Sequence, residues 1–437
     1  MTAGDELVRA LADPRRIEGE LHRLAARARG PRIARLVQDG LRLRRMLEEP
    51  RRTSALVAGA LADGSFEPRP VALRDARIGG RARRLASLAP LDLVVHAVLA
   101  GVLAERLEPR LSPYLFSYRR GRSSWTALRM LARGVTRHRR QHADPRARGL
   151  YVLRADIADF TDSWPLDDGA PLWPELRQVT GLPEASPHWR MLRRLLVPEI
   201  EAGAPPAGER RGLLFGAPTT NVLANLYLAP LDDELGAGPG MLYARFGDDV
   251  FCAHPDLAAV RAAEATLERI AAARGLRINR SKARLLFWNG AGRASPAAPE
   301  IAGAVEVPFV GGALRFGGGV GLSRRKWSAL LRDLRGRVRR TGALLGDQAP
   351  DARARALVEV VNRALAPATP PALATAYAPL LVDLVSDRQQ LRQLDWLLAL
   401  WIAEAATRRR GVRALRDLSW RRLRELGLRS LVAARNG

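Results

Sequence analysis

The chain has a single cysteine, Cys252, and almost no lysine: of its 71 basic residues, all but Lys282 and Lys326 are arginine. One cysteine excludes disulfides within the chain and zinc sites built on cysteine. The longest apolar run of the C-terminal half, around 394–406, is too short to cross a bilayer. The N-terminus, MTAGDELVRALADPRR, carries no signal-peptide pattern, and there is no internal repeat. These absences predict a cytoplasmic protein without a membrane partner. Acid is in the minority, with 45 Asp and Glu, so the formal net charge is +26. That excess predicts a partner of high negative charge density, and nucleic acid fits because basic side chains gain by displacing its condensed counterions. With 437 residues, 47% of them hydrophobic, the chain can fill two or three domains. The scarcity of lysine makes the two that remain informative, since lysine can donate a proton whereas arginine stays charged.

The pattern organises itself around 242–252, LYARFGDDVFC. An apolar run of this length bounded by Gly predicts strand. Two adjacent acids, Asp248 and Asp249, interrupt it, and carboxylates in a buried strand pattern need compensation. A strand–turn–strand with Gly247 beside the acids would present both at a hairpin tip. Oxygen ligands of this kind suit Mg²⁺.

Around this stretch the expected organisation is α+β with helical flanks. Residues 1–62 have helical spacing in LVRALA, IEGELHRLAARA and RIARLVQDGLRLRRML. Segment 64–88 breaks helix and turns basic, 91–111 is helical, 112–131 is a loop entering a helix, and 132–148 reads as a basic turn region. LYVLRADI (150–157) reads as a buried strand ending in acid. Helical patterns follow at 165–205 and within 216–235, then the acidic hairpin, a helix over 257–275 and a strand over RINRSKARLLFW. The Gly/Ala/Pro-rich 289–300 reads as loop, 305–322 as short strands, and the remainder as basic helices. Trp288, Trp327, Trp396, Trp401 and Trp420 are expected to pack.

A third carboxylate is expected at Asp156, where a strand meets a helix. Together with Asp248 and Asp249 it would hold two metal ions for phosphoryl transfer. Asp159 and Asp162 read as solvated acids at a helix start. In order along 64–316 stand GSFEPRPV, LSPYLFSYRRGRS, RADIADFTDSW, GAPTTNVLANLYLAPLDDEL, ARFGDDVFC, GLRINRSKARLL and FVGG. In these the chain resembles bacterial reverse transcriptases of the clade that holds group II intron, retron, diversity-generating and defence-associated enzymes.

The resemblance implies a right-hand polymerase fold: N-terminal helices and fingers over 1–149, a palm with an antiparallel sheet over 150–322 (with an insertion at about 165–210), and a helical thumb with a C-terminal extension over 323–437. It implies an RNA-directed DNA polymerase with two Mg²⁺ ions, or Mn²⁺, held by Asp156, Asp248, Asp249 and the backbone of Ile157. Lys282 would neutralise or protonate departing pyrophosphate. Arg81, Arg83 and Arg84 fall where relatives contact the triphosphate, without the sequence deciding which does so. Phe160, Thr161, Phe215, Gly216 and Asn225 fall around the nucleotide site. Arg119, Arg122 and Lys326 would contact nucleic acid; for Arg119 and Arg122 the alternative is a loop-ordering ion pair. The implied partners are an RNA template, such as a dedicated non-coding RNA, a DNA product and dNTPs.

Three departures from the family pattern bear on function. Phe246-Gly247 replaces the usual aromatic-Ala before the acids, so a tyrosine hydroxyl is lost. Leu214-Phe215 replaces the usual Pro-Gln, which touches nucleotide selection. Thr161 stands five residues after Asp156, where relatives hold the aromatic that excludes a ribose 2′-hydroxyl. An RNA polymerase or template-independent nucleotidyltransferase with relaxed sugar selection is therefore the alternative, and a silent RNA-binding scaffold the rival outside enzymes. The length after the thumb predicts a stand-alone host enzyme rather than a full intron protein, with phage defence as the expected context and diversity generation second.

Overall fold

In a computed structural model the structure describes residues 2–28, 44, 46–78, 81–142, 149–201, 212–366, 381 and 384–433. In chain order the elements are helices α1 (Ala3–Leu11), α2 (Pro14–Ala28) and α3 (Pro50–Asp63), strands β1 (Ala72–Ile78) and β2 (Arg81–Ser87), and helices α4 (Pro90–Leu107) and α5 (Ser124–Gln141). Strand β3 (Leu150–Ala155), helices α6 (Leu172–Thr180), α7 (Pro187–Leu196), α8 (Pro218–Tyr227) and α9 (Ala229–Gly236), strands β4 (Leu242–Phe246) and β5 (Asp249–His254), and helix α10 (Leu257–Ala273) follow. Then come strands β6 (Arg284–Trp288), β7 (Gly303–Ala304), β8 (Glu306–Phe309), β9 (Gly312–Arg315) and β10 (Val320–Leu322). Helices α11 (Arg324–Leu344), α12 (Pro350–Leu365), α13 (Arg388–Thr407), α14 (Val412–Asp417) and α15 (Trp420–Glu425) end the described chain. The class is mixed α and β, as expected.

The chain divides into two compact units that interleave: residues 1–123 with 153–284, and residues 124–152 with 285–437. These divisions differ from the consecutive segments 1–149, 150–322 and 323–437. The reason is α5, whose buried Leu128, Leu131 and Val135 pack on β9 and β10, so that this helix joins the later part of the chain.

In the first unit α4 is apolar almost all round and runs through the core, with Val94, Val95, Leu99 and Leu103 buried. It packs on α8, and buried His96 ties the two helices, its Nδ1 lying 2.8 Å from Thr219 Oγ1. Strands β1 and β2 form an antiparallel hairpin. Strands β4, β5 and β3 are neighbours in that order, β4 and β5 antiparallel. In the second unit α11, α12 and α13 pack on one another around Leu334, Val338, Leu357, Val361, Leu394 and Leu398. Strands β8, β9 and β10 form an antiparallel meander, and β6 runs parallel to β7.

Two local expectations change. Residues 132–148 are not a turn region as far as they are described: α5 continues through Gln141, because its apolar spacing outlasts the first basic residues. The strand expected over RINRSKARLLFW is confined to Arg284–Trp288; Arg280 to Lys282 form a turn. The helix expected at RIARLVQDGLRLRRML lies largely outside the described residues. Trp288 is fully buried and Trp401 nearly so, but Trp396 is half exposed and Trp420 also reaches solvent, so those two do not pack as expected.

Candidate active site

The hairpin of β4 and β5 positions the acids. Phe246 pairs with Asp249, which leaves Gly247 and Asp248 as a two-residue turn. Gly247 has φ +64°, the left-handed value that such a hairpin turn needs at its first central residue and that glycine adopts freely. Asp248 thus sits on the tip, whereas Asp249 is the first residue of β5. The strands below are buried, largely by the apolar and aromatic side chains of Tyr243, Ala244, Val250, Phe251 and Cys252.

Asp156 follows the end of β3. Its backbone is fixed by the segment after α10: the Asn279 amide donates to the Asp156 carbonyl at 2.8 Å, and the Ala158 amide donates to the Arg277 carbonyl at 2.8 Å. The same segment carries Lys282, whose amide donates to the Asn279 carbonyl at 3.0 Å and whose ammonium is paired with Asp156 Oδ2.

Asp156, Asp248 and Lys282 face one cavity of about 470 Å³, which Ile157, Phe160, Thr161 and Phe215 also line. Burial, then the charges of Asp156 and Asp249, push the Asp248 carboxyl up to about 7; it also shares a hydrogen bond with Asp156. Burial pulls the Arg154 guanidinium on β3 down, opposed by the charges of Asp249 and, more weakly, Asp156, and its buried Nε has no hydrogen-bond partner. The three acids and the carbonyl of Ile157 are hard oxygen donors of the kind Mg²⁺ takes, and a cation would relieve the crowding that raises Asp248. Among the described residues, however, no three Asp, Glu, His or Cys side chains are already gathered around a common centre. The Lys282 ammonium supplies the positive charge at Asp156.

The two residues expected at the sugar are held differently. The ring of Phe160 is buried edge-on against Trp164 at 5.2 Å, so it is anchored in the core. Thr161 is partly exposed on the cavity wall, and its carbonyl accepts from the Leu213 amide at 2.7 Å. Gly216 has φ +109° and starts the turn into α8. Asn225 does not line the cavity. It is buried, with its side chain bonded to Ser117, accepting from the hydroxyl at 3.0 Å and donating to the carbonyl at 2.9 Å. Asn221, one turn earlier on α8, lines the cavity instead.

Arg119 makes the ion pair of the loop-ordering alternative, and Arg122 makes a hydrogen bond within the same loop. Arg119 is almost fully buried, paired with Glu108 and donating to the carbonyls of Ser112 and Leu115. Arg122 donates to the Pro113 carbonyl and lies over the Phe116 ring. In the second unit, Lys326 is half-buried with its ammonium 4.6 Å from the centre of the Trp125 ring. Arg81, Arg83 and Arg84 are on β2, and their side chains lie outside the described part of the structure.

Sequence reasoning missed several residues. Tyr118, with φ +53°, is half exposed on the cavity wall; burial of its hydroxyl and the charge of Asp248 push its phenol up. Its oxygen is the nearest atom to the place a side chain at Gly247 would occupy. Asp159 is exposed at the start of the short helical turn Phe160–Asp162, as expected, with φ +43°; what the sequence did not show is that it also lines the cavity. Beneath the hairpin, fully buried Arg245 is paired with fully buried Asp232 and donates to the Gly247 carbonyl at 3.0 Å. The only signal in the sequence was an Arg in an otherwise apolar strand, which a buried acid must answer.

In three-dimensional comparison the chain is similar to solved telomerases. One is the telomerase from Candida albicans in complex with the TWJ fragment of telomeric RNA, with TM-score 0.45 and 11% identity over 83% of this chain and 62% of that one. Another is the apo telomerase from Candida tropicalis, with TM-score 0.44 and 8% identity over 84% and 64%. A form of the latter truncated from the C-terminal domain gives TM-score 0.43 and 8% identity over 58% and 55%. The chain thus covers under two thirds of the length of each. No family model matches the chain, and no curated protein matches it significantly. No helix among the described residues is long and apolar enough to cross a membrane.

Proposed function

We propose that the chain is a nucleotidyltransferase of the reverse-transcriptase type, an RNA-directed DNA polymerase with the right-hand arrangement of fingers, palm and thumb. The observation that carries this reading is the meeting of Asp156, from the end of β3, with Asp248, from the β4–β5 tip, in one cavity that also receives Lys282. In the reaction, a primer 3′-hydroxyl gives up its proton to solvent and its oxygen bonds to the α-phosphorus of a nucleoside triphosphate. The bond from that phosphorus to the bridging oxygen breaks, and pyrophosphate leaves. Asp156, Asp248, Asp249 and the Ile157 carbonyl are the groups that would hold divalent cations, which when bound stabilise the attacking and leaving oxygens. Lys282 holds a proton at Nζ within the same cavity, where it can neutralise or protonate the leaving group. Phe215 and Asn221 supply one apolar and one polar wall for the nucleotide.

The test is primer extension on an RNA template with Mg²⁺. Asp248→Asn should abolish incorporation and leave the melting temperature equal or higher, since it removes one of three crowded negative charges. A variant that extends the primer at the wild-type rate would overturn the assignment.

A second reading, incorporation of ribonucleotides, has its own support. Thr161 contributes a small hydroxyl-bearing side chain to the cavity, and the neighbouring Phe160 ring is held in the core by Trp164.

A further inference from the structure

The second unit contains a basic groove that takes no part in the site around Asp156. It has a volume of about 650 Å³, and no acid lines it. Arg129, Arg133, Arg137 and Arg140 of α5 line one side. Their spacing of four, four and three residues puts them in one row along the helix. At 1.5 Å per residue that row is about 16 Å long. All four are exposed, and Arg133, Arg137 and Arg140 have no carboxylate partner among the described residues.

The opposite wall is built, not incidental. At the β9–β10 turn, Gly318 has φ +84° and lies so close to α5 that a side chain there would collide with Thr136 Oγ1. The Thr136 hydroxyl donates to the Ala132 carbonyl at 2.9 Å, so its oxygen remains an acceptor. Ser386 has the complementary arrangement: its oxygen accepts from the Val320 amide at 2.9 Å, which leaves its hydrogen to donate. The groove therefore offers a row of cations, one hydroxyl acceptor and one hydroxyl donor.

We infer that this groove binds the phosphodiester backbone of RNA, outside the catalytic cavity. A strand of nucleic acid presents one charge per roughly 3.4 Å of helix axis, so about 16 Å of arginines meets four or five phosphates. Guanidinium forks suit phosphate oxygens, and a hydroxyl donor and a hydroxyl acceptor on the same groove suit ribose 2′-hydroxyls. An anionic membrane is disfavoured, because the wall facing α5 is concave and lacks the exposed large apolar side chains that insert into lipid.

The experiment is fluorescence anisotropy of the full chain with a labelled single-stranded RNA and the DNA of the same sequence, over a salt series. The triple variant Arg133→Gln, Arg137→Gln, Arg140→Gln should lose affinity tenfold or more at low salt. The slope of log affinity against log salt should become shallower by about 2, since each phosphate no longer neutralised removes roughly 0.7 from it. The readout is binding and not incorporation, so failure of the catalytic reading leaves this test intact. The matching triple Lys variant should retain most of the slope, and a melting temperature within a few degrees of wild type excludes misfolding as the cause. Loss on RNA and DNA alike assigns the groove to phosphate alone, whereas loss confined to RNA adds the 2′-hydroxyl interaction. An unchanged slope in the Gln variant overturns the inference. So does a loss of binding to phosphatidylserine vesicles with RNA binding unaltered.

Discussion

Arg245 and Asp232 are both fully buried, and they form an ion pair directly beneath the turn that carries Asp248. Arg245 Nε donates to Asp232 Oδ1 at 2.8 Å, and Tyr243 adds its hydroxyl to the same oxygen at 2.7 Å. The remaining guanidinium nitrogens reach the carbonyls of Gly247, at 3.0 Å, and Asn225, at 3.4 Å. One buried cation therefore joins α9, α8 and the acidic turn. Asp232→Ala leaves it without a counter-charge and should destabilise the protein by about 3–5 kcal/mol in denaturant unfolding. The double replacement Asp232→Leu with Arg245→Met should recover much of that stability. Primer extension should stay low in the double variant, because the Gly247 carbonyl has lost its donor.

His96 gives a pH dependence of defined sign. Burial, opposed by a hydrogen bond with the Leu195 backbone, lowers its imidazole from 6.5 to about 3. Above pH 6.5 both the folded and the unfolded chain hold it neutral, and it contributes nothing. Below that the unfolded chain takes up a proton that the folded chain refuses, so stability falls as pH falls, by up to about 1.4 kcal/mol per unit from this group. Urea unfolding of wild type and His96→Gln at pH 7, 6 and 5 measures it. The variant should lose stability less steeply, and equal slopes would mean that the ring is solvated.

Lys282→Arg keeps the charge beside Asp156 and removes the accessible proton. If the ammonium protonates the leaving group, the single-turnover rate should fall by roughly ten- to a thousandfold. A full rate in the variant would reduce Lys282 to a counter-charge.

Thr161→Phe tests sugar selection. It should raise the preference for dNTPs over rNTPs, measured as the ratio of incorporation efficiencies on one primer–template. Slowing of both substrates alike would mean that the new ring only crowds the cavity. Strong rejection of rNTPs by the wild type would remove the second reading.

Much of this site was legible in the sequence because acids in apolar strands are expensive. That cost marked Asp156, Asp248 and Asp249, and the shortage of lysine marked Lys282. Tyr118, Asn221 and Asp159 were not legible. They reach the cavity through backbone geometry, positive φ at Tyr118 and Asp159 and a helix phase at Asn221 that places it, rather than Asn225, on the wall. Arg119 and Arg122 show the converse. The resemblance carried by SYRRGRS implied nucleic-acid contact, but the Arg119 fork is taken up by Glu108 and the carbonyls of Ser112 and Leu115, and one nitrogen of Arg122 bonds the Pro113 carbonyl. The role of α5 was hidden because its partners, β9 and β10, lie about 180 residues further along.

The way the two units share the chain has a consequence for biosynthesis. Helix α5 leaves the ribosome with Leu128, Leu131 and Val135 on one face, while the strands that cover them are encoded only after residue 311. At 5–20 residues per second, roughly ten to forty seconds separate the two. Throughout that interval, in the later part of which the acidic hairpin emerges, the nascent chain displays an oily stripe beside a row of arginines. Holding that stripe, by a chaperone on the apolar side or a polyanion on the basic one, becomes part of how the molecule is made.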